Sequence, residues 1–434
     1  MQSQKSGFLR SLLSKWQSQA TLMGKAVLPV LLVVRLVTLG VAGQTVWLDD
    51  FKEFVCNTRR EGCSEVCFNR ATPVSPIRLW TLQLVLVLAS GLVFLCYLVH
   101  LTNQENQVKQ GGEVKGHTMG AYLACMASVI LLEVGFVVAQ LFLYGFQVMP
   151  NLDCARMPCP YVTHCVAPRA QQKTAFLLIM FSVSCLSLLL SVAEAACVLQ
   201  RARPWERQQA GAKSLQPGSK VEERRHFLSQ LLARWHSPAS LRGKTVLPVL
   251  QLTRLVIVGA VVRPVWQDEL SEFVCDSREP GCKHAVHNQN FPFSLPLYWS
   301  LQEKLASGVK GHSLRAYLAC LSAVILVDVG FAAGQCVNYG LSVPTHVHGN
   351  ARPCPSQVSC VVSRATEKTV FTLLMFSLAC VSALLSLVEM CVVLKRERPW
   401  DRRQDNAMTD TSGPQMGSKV NEEDDRTDTA KLNI

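Results

Sequence analysis

The chain has 434 residues, 49% hydrophobic and only 17% charged, with a mean hydropathy of +0.21, a balance that excludes an ordinary soluble protein and indicates a membrane protein. Its formal net charge of +12 does not indicate nucleic-acid binding. The basic residues lie between apolar segments rather than on one face with interleaved aromatics.

Residues 8 to 25 are amphipathic, with Phe8, Leu9, Leu12, Leu13 and Trp16 at helical spacing. They suit either a helix resting in membrane lipid or one folded into a pore. Four runs long enough to span follow, near 26–46, 76–100, 120–146 and 174–199. No cleavable signal peptide is evident, and Lys5, Arg10, Lys15 and Lys25 before the first run place the N-terminus in the cytoplasm. The segment Gln200 to Lys244 carries ten Lys or Arg against three Glu, a cytoplasmic signature.

The whole pattern then repeats. Phe8, Trp16, Arg35, Trp47, Cys56 and Cys63 recur 219 residues later as Phe227, Trp235, Arg254, Trp266, Cys275 and Cys282. Beyond the second run the offset falls to 195, where Tyr122, Gln140, Cys159, Cys165 and Glu194 recur as Tyr317, Gln335, Cys354, Cys360 and Glu389. The difference, 219 − 195 = 24 residues, is missing from the second span and cytoplasmic loop of the second copy. Its spans are expected near 245–263, 292–309, 314–339 and 369–394, and 292–309 is doubtful because it is short and carries Glu303 and Lys304. Charges at mid-membrane cost several kcal/mol. The domain plan is a first unit at 1–200, a cytoplasmic linker at 201–225, a second unit at 226–395 and a disordered cytoplasmic tail at 396–434.

Eighteen cysteines complete the pattern, eight inside apolar runs and ten in polar loops: Cys56, Cys63, Cys67, Cys154, Cys159, Cys165, Cys275, Cys282, Cys354 and Cys360. The loops should face an oxidising space, where two triplets on one side of a four-helix unit allow three bridges between loops. Zinc is disfavoured because its sites use Cys-x2-Cys-like spacings, and no metal, cofactor or catalytic constellation is recognised.

These residues resemble the connexin family, the subunits of gap-junction channels. The resemblance covers nearly all of 7–200 and, with the deletion, 226–395. It is carried by Val46-Trp47 with Asp49, Phe54-Val55-Cys56-Asn57-Thr58, Gly62-Cys63, Ile77 to Gln83, Glu133-Val134-Gly135-Phe136, Tyr144-Gly145-Phe146, Pro158-Cys159-Pro160 and Ser363 to Thr369, with both triplet spacings.

The resemblance implies an all-α polytopic membrane protein: tandem four-helix transmembrane bundles, the second degenerate, with disulfide-braced extracellular loops. Six four-helix units form a ring around a pore, and two rings dock between adjacent cells at the plasma membrane to pass ions and small molecules. It also implies loop bridges in reversed order, Cys56 with Cys165, Cys63 with Cys159 and Cys67 with Cys154. In the second copy Val286 and Gly349 replace the last pair together, so reversed pairing strands no thiol there. That favours a crossing or near-crossing 292–309, which keeps the second copy's loops on one side.

Pore-lining candidates are Lys5, Phe8, Arg35, Asp49 and Asp50. Lys5-Ser6 stands where the family has Asp-Trp, so a weaker cation preference is expected. Arg35 and Arg254 read first as partners of acids such as Glu133, Glu194, Asp328 or Glu389 inside the bundle, with pore lining the alternative. Docking-loop candidates are Asn57, Tyr161, Thr163 and His164. The end Leu432-Asn433-Ile434 fits a carboxylate-capturing domain of the PDZ type, beside lipid as the other partner. Runner-up functions are a non-channel adhesion protein, a degenerate fused paralogue and a tandem-repeat transporter.

Overall fold

A computed structural model describes residues 24, 27–47, 51–107, 114–213, 239–267, 269–291, 293–307, 314–354 and 356–409. In the first copy four long helices, α1 (Leu28–Thr45), α3 (Pro76–Gln107), α4 (Val114–Tyr144) and α5 (Ala170–Lys213), pack together. Between α1 and α3 lie strand β1 (Val55–Cys56) and helix α2 (Cys63–Ala71); between α4 and α5 lie β2 (Asn151–Cys154) and β3 (Thr163–Val166).

The second copy repeats this order: α6 (Ala239–Ile257), a π-helical turn (Val258–Val262), α7 (Arg263–Trp266), β4 (Val274–Cys275), α8 (Cys282–Asn290), α9 (Leu295–Ser307), α10 (Leu314–Asn338), β5 (His346–Gly349), β6 (Val358–Val361) and α11 (Ala365–Thr409). The described residues up to Met390 form one compact unit, and those from Cys391 onward another.

Among the described residues six helical stretches are long and apolar enough to cross a membrane: Pro76–Val99, Met119–Tyr144, Ala170–Gln200, Thr245–Trp266, Tyr317–Asn338 and Ala365–Lys395; Leu28–Gly40 is a shorter apolar one. Their intrahelical hydrogen bonds satisfy the backbone internally, while Leu, Val, Ala and Phe side chains offer lipid an apolar surface.

The structure departs from the expected plan at one span and at two helix ends, and it adds strands in the loops. The doubtful span at 292–309 is a helix of 13 residues, Leu295–Ser307. At 1.5 Å per residue it is about 20 Å long, against a hydrocarbon core of ~30 Å, so this helix alone does not cross. It keeps the half of α3 nearest the disulfide-bonded loops and runs antiparallel to α10, as the contacts Trp299–Gln335 and Gln302–Asp328 require. Next, α5 continues to Lys213 and α11 to Thr409, into the expected linker and tail. Ala, Arg, Gln and Glu there are good helix formers that hydropathy does not mark. Finally, the loops carry two three-stranded antiparallel sheets, ordered β1-β3-β2 and β4-β6-β5, which no periodicity announced.

Each copy is held near its loops by one aromatic arrangement. Trp47 meets Trp80 edge to face at 5.6 Å, and Trp266 meets Trp299 at the same distance. Trp80 Nε1 donates to Gln140 Oε1 at 3.1 Å, and Trp299 Nε1 donates to Gln335 Oε1 at 2.9 Å. The π turn belongs to the second copy. There Pro264, which has no N–H to donate, follows the turn, whereas α1 continues as regular helix to Thr45.

The two copies also pack on each other. Helix α3 lies along α6 and the π turn, and Leu82 joins a core of Ile257, Val258, Val262, Trp299 and Phe371.

Candidate functional site

The loops are organised by sulfur. Cys63 and Cys67 lie four residues apart on one face of α2, so both reach the same neighbouring loop. The structure joins Cys63 to Cys159 and Cys67 to Cys154, while Cys56 crosses to Cys165 on the paired strand β3. This is the reversed order that the family likeness implies. Gly62 starts α2 at φ +83°, and Gly281 starts α8 at +82°, a left-handed conformation that glycine adopts without a Cβ penalty. Sulfurs of Cys56, Cys67 and Cys165, and of Cys63, Cys67 and Cys159, lie as close as metal ligands, within 4.8 Å. All are already spent in S–S bonds.

In the second copy Cys275 joins Cys360 and Cys282 joins Cys354. The place of the third bridge is filled by carbon. Val286 is wholly buried, and a Cβ on Gly349 would meet its methyl groups at 2.7 Å. One side chain was enlarged and its opposite reduced to nothing, so the loops still close.

Deeper, each bundle buries an arginine. Arg35 Nη1 and Nη2 donate to the two oxygens of Glu133 at 2.6 and 2.9 Å, and Gln83 and Ser187 donate to the same carboxylate. Arg35 is 4% exposed and Glu133 not at all. This corrects Arg35 as a pore-lining candidate: its charge is spent inside the bundle, where a bidentate pair with extra donors is the stable arrangement. In the second copy Arg254 Nη1 donates to Asp328 at 3.0 Å, Gln302 donates to Asp328 at 2.8 Å, and Glu303 stands 2.8 Å from Arg254 Nε. Glu303 is an added acid, because its counterpart is Leu84. Among the described residues both Glu303 oxygens and Asp328 Oδ2 lack a hydrogen bond.

Of the other candidates, Lys5, Phe8, Asp49, Asp50, Leu432, Asn433 and Ile434 lie outside the described residues. Asp50 has a described counterpart in Glu269, whose carboxylate is 2.9 Å from Lys368 and 3.9 Å from His287. Burial works to raise the Glu269 carboxyl, but His287 and Lys368 outweigh it and hold it below the usual carboxylate value.

Among docking candidates, Tyr161 is exposed and His164 pairs with Asp153 on the loop surface. Asn57 Oδ1 accepts from the His164 backbone at 3.1 Å, and Asn57 N donates to its carbonyl at 3.0 Å. Thr163 is corrected: it is fully buried, its hydroxyl donating to the Tyr161 carbonyl at 3.1 Å, so it faces no partner. Sequence reading missed the glutamines Gln83 and Gln302 as second arms of the ion pairs. It also missed Arg78, which pairs with Glu367 of the other copy. Both lie in apolar helices, a signal of buried partners that goes unread without knowing the neighbour.

A sequence model of the Connexin family matches residues 5–117, 102–200, 224–307 and 302–395. The chain belongs to the connexin family. The four matches cover both copies, as a tandem connexin requires. The Gap junction Cx32.2 protein of Micropogonias undulatus is 35% identical over 209 residues, 43% of this chain and 73% of that protein. The human Gap junction alpha-4 protein is 34% identical over 230 residues, 45% of this chain and 69% of its own. The chicken Gap junction alpha-8 protein is 33% identical over 230 residues, 45% of this chain and 58% of its own. With its apolar helices and loop disulfides, the chain is a connexin-like gap-junction subunit, a multi-pass protein of the plasma-membrane junction.

Proposed function

We propose that this connexin puts two ring subunits into one chain, residues 1–200 and 226–395, so that three chains supply a six-unit hemichannel. Docked to a ring on the adjacent cell, it passes ions and small molecules. In this reading the N-terminus is cytoplasmic, Lys5, Phe8, Asp49 and Asp50 stand along the pore, and Asn57, Tyr161 and His164 lie in the docking loops. Lipid around the spans and a PDZ-type scaffold at Leu432, Asn433 and Ile434 are its further partners.

The observation that carries the reading is that both copies close their loops with the same two disulfides while packing side by side, Cys56–Cys165 and Cys63–Cys159 in one, Cys275–Cys360 and Cys282–Cys354 in the other. The short α9 favours a second reading, an adhesion protein that uses its braced loops without a pore. Dye injected into one of two paired cells expressing the chain separates them. A channel transfers it to the neighbour; adhesion without transfer contradicts the channel.

A further inference from the structure

We propose that the outward face of α9 is a docking surface for the first copy of a second molecule of this chain, so that the copies alternate first, second, first, second around the assembly. The proposal rests on reading the two copies as ring subunits.

The chain uses this kind of contact once already. Ser75 N donates to Glu367 at 2.9 Å, Arg78 pairs with the same carboxylate, and Leu82, Val85 and Leu86 pack into the core built by the second copy. The repeat carries Ser75, Arg78, Leu82, Val85 and Leu86 onto Ser294, Leu297, Leu301, Lys304 and Leu305. All five counterparts are exposed: Leu82 is 8% accessible, whereas Leu301 is 50% and Leu297 71%.

The opposite face shows the mirror of this. On α6, Val249 is 4% accessible and Thr253 and Ile257 are buried, while on α1 their counterparts Val30 and Val34 are 60% and 40% accessible. Val361 is buried where Gly62 comes up against it, and its counterpart Val166 is exposed. Each chain therefore has one contact filled internally and two open halves of that same contact, one on each end. Such a head-to-tail contact propagates from molecule to molecule and closes when the rotation allows.

Charge tells the filled contact from the open one. The internal contact holds Arg78 with Glu367 and Arg278 with Glu61 at 3.0 Å, and sets the Arg364 guanidinium 5.9 Å from the Phe51 ring centre. At the open contact the corresponding positions are Leu297 facing Gln172, Pro280 facing Arg59 and Leu270 facing Arg169. Two first copies brought together would set Arg78 against Gln172, and two second copies would set Glu367 against Leu297. Either leaves a part-buried charge without its counter-ion, which disfavours same-copy pairing. Alternation keeps Arg78 and Glu367 paired within each chain. At the open contact it sets Leu297 against the uncharged Gln172 and leaves Arg59 and Arg169 facing Pro280 and Leu270, with no like charge opposite either. The lipid tails that could otherwise cover α9 offer no such match to the second open face.

Cysteine cross-linking in the full chain tests this. Chains carrying Leu297→Cys and chains carrying Gln172→Cys are co-expressed, distinguished by tags, and oxidised in the membrane; wild-type chain, with eight unpaired cysteines, sets the background. Leu301→Cys with Ile179→Cys serves as a second pair if the first does not reach the surface. The expected product joins one chain of each tag at twice the 47.9 kDa chain mass and is several-fold more abundant than any product within one tag. Self-linking of Leu297→Cys chains alone overturns alternation. Multi-chain particles that pass dye but link at neither pair, or whose Leu297→Cys thiol is fully labelled by a lipid-soluble maleimide, overturn the docking surface and leave the channel reading standing. Single-chain particles without dye transfer overturn both.

Discussion

The two copies are built on one plan but fail differently at two depths. Near the loops the second copy has lost a disulfide and kept its shape, because Val286 fills the space that Gly349 vacates. Deeper, it has lost about half a helix and gained a buried acid, Glu303, which the structure leaves without a hydrogen bond. A covalent staple is replaceable by packing, since both hold the same groups together. A buried charge is not replaceable in that way, since only an opposite charge or a proton offsets its desolvation.

The largest effect expected from this contrast is at the arginines. Removing Arg35 strands one buried carboxylate, and breaking such a pair costs about 3–5 kcal/mol. Removing Arg254 strands two, Glu303 and Asp328, so Arg254→Ala should lower the unfolding temperature of the detergent-solubilised chain more than Arg35→Ala does. Glu303→Leu, which restores the residue of the first copy, should raise it. Equal losses at the two arginines would mean that Glu303 is not charged against Arg254.

Next in size is the missing bridge. Val286→Cys with Gly349→Cys should form a third disulfide and protect the second copy's loops from proteolysis, with a gain of about 2–4 kcal/mol. Gly349→Ala alone places its methyl against Val286 and should cost about 1–3 kcal/mol, the usual range for overpacking. A harmless Gly349→Ala would show that the two positions do not touch.

The smallest effect is at Glu269. Its carboxyl titrates lower folded than unfolded, so the unfolded chain binds the proton first and the ion pair with Lys368 stabilises fully only above the unfolded value. That contribution should fade as the pH falls through the folded value, below the ordinary 4.5. Unfolding temperatures of Glu269→Gln and wild type should therefore converge in acid and separate near neutrality; a constant gap would contradict the pairing.

The sequence made the larger plan legible because a duplicated chain compares itself. The paired loss at Val286 and Gly349 was visible from the offset alone, as was the damage to 292–309. The strands were not legible, since segments of two to four residues around cysteines are too short to show alternation. The partners of Arg35 were narrowed to a few acids, and the fold chose Glu133. Arg78 was hidden for another reason: its partner lies 289 residues away in the other copy, where aligning the copies shows each charge singly and never together.

The account's central claim is that both copies, damaged span included, present their braced loops on one oxidising side. Non-reducing peptide mapping of chain recovered from the surface of intact cells tests it most directly. Linked peptides joining Cys275 to Cys360 and Cys282 to Cys354 are predicted; free thiols at Cys354 or Cys360 would contradict it.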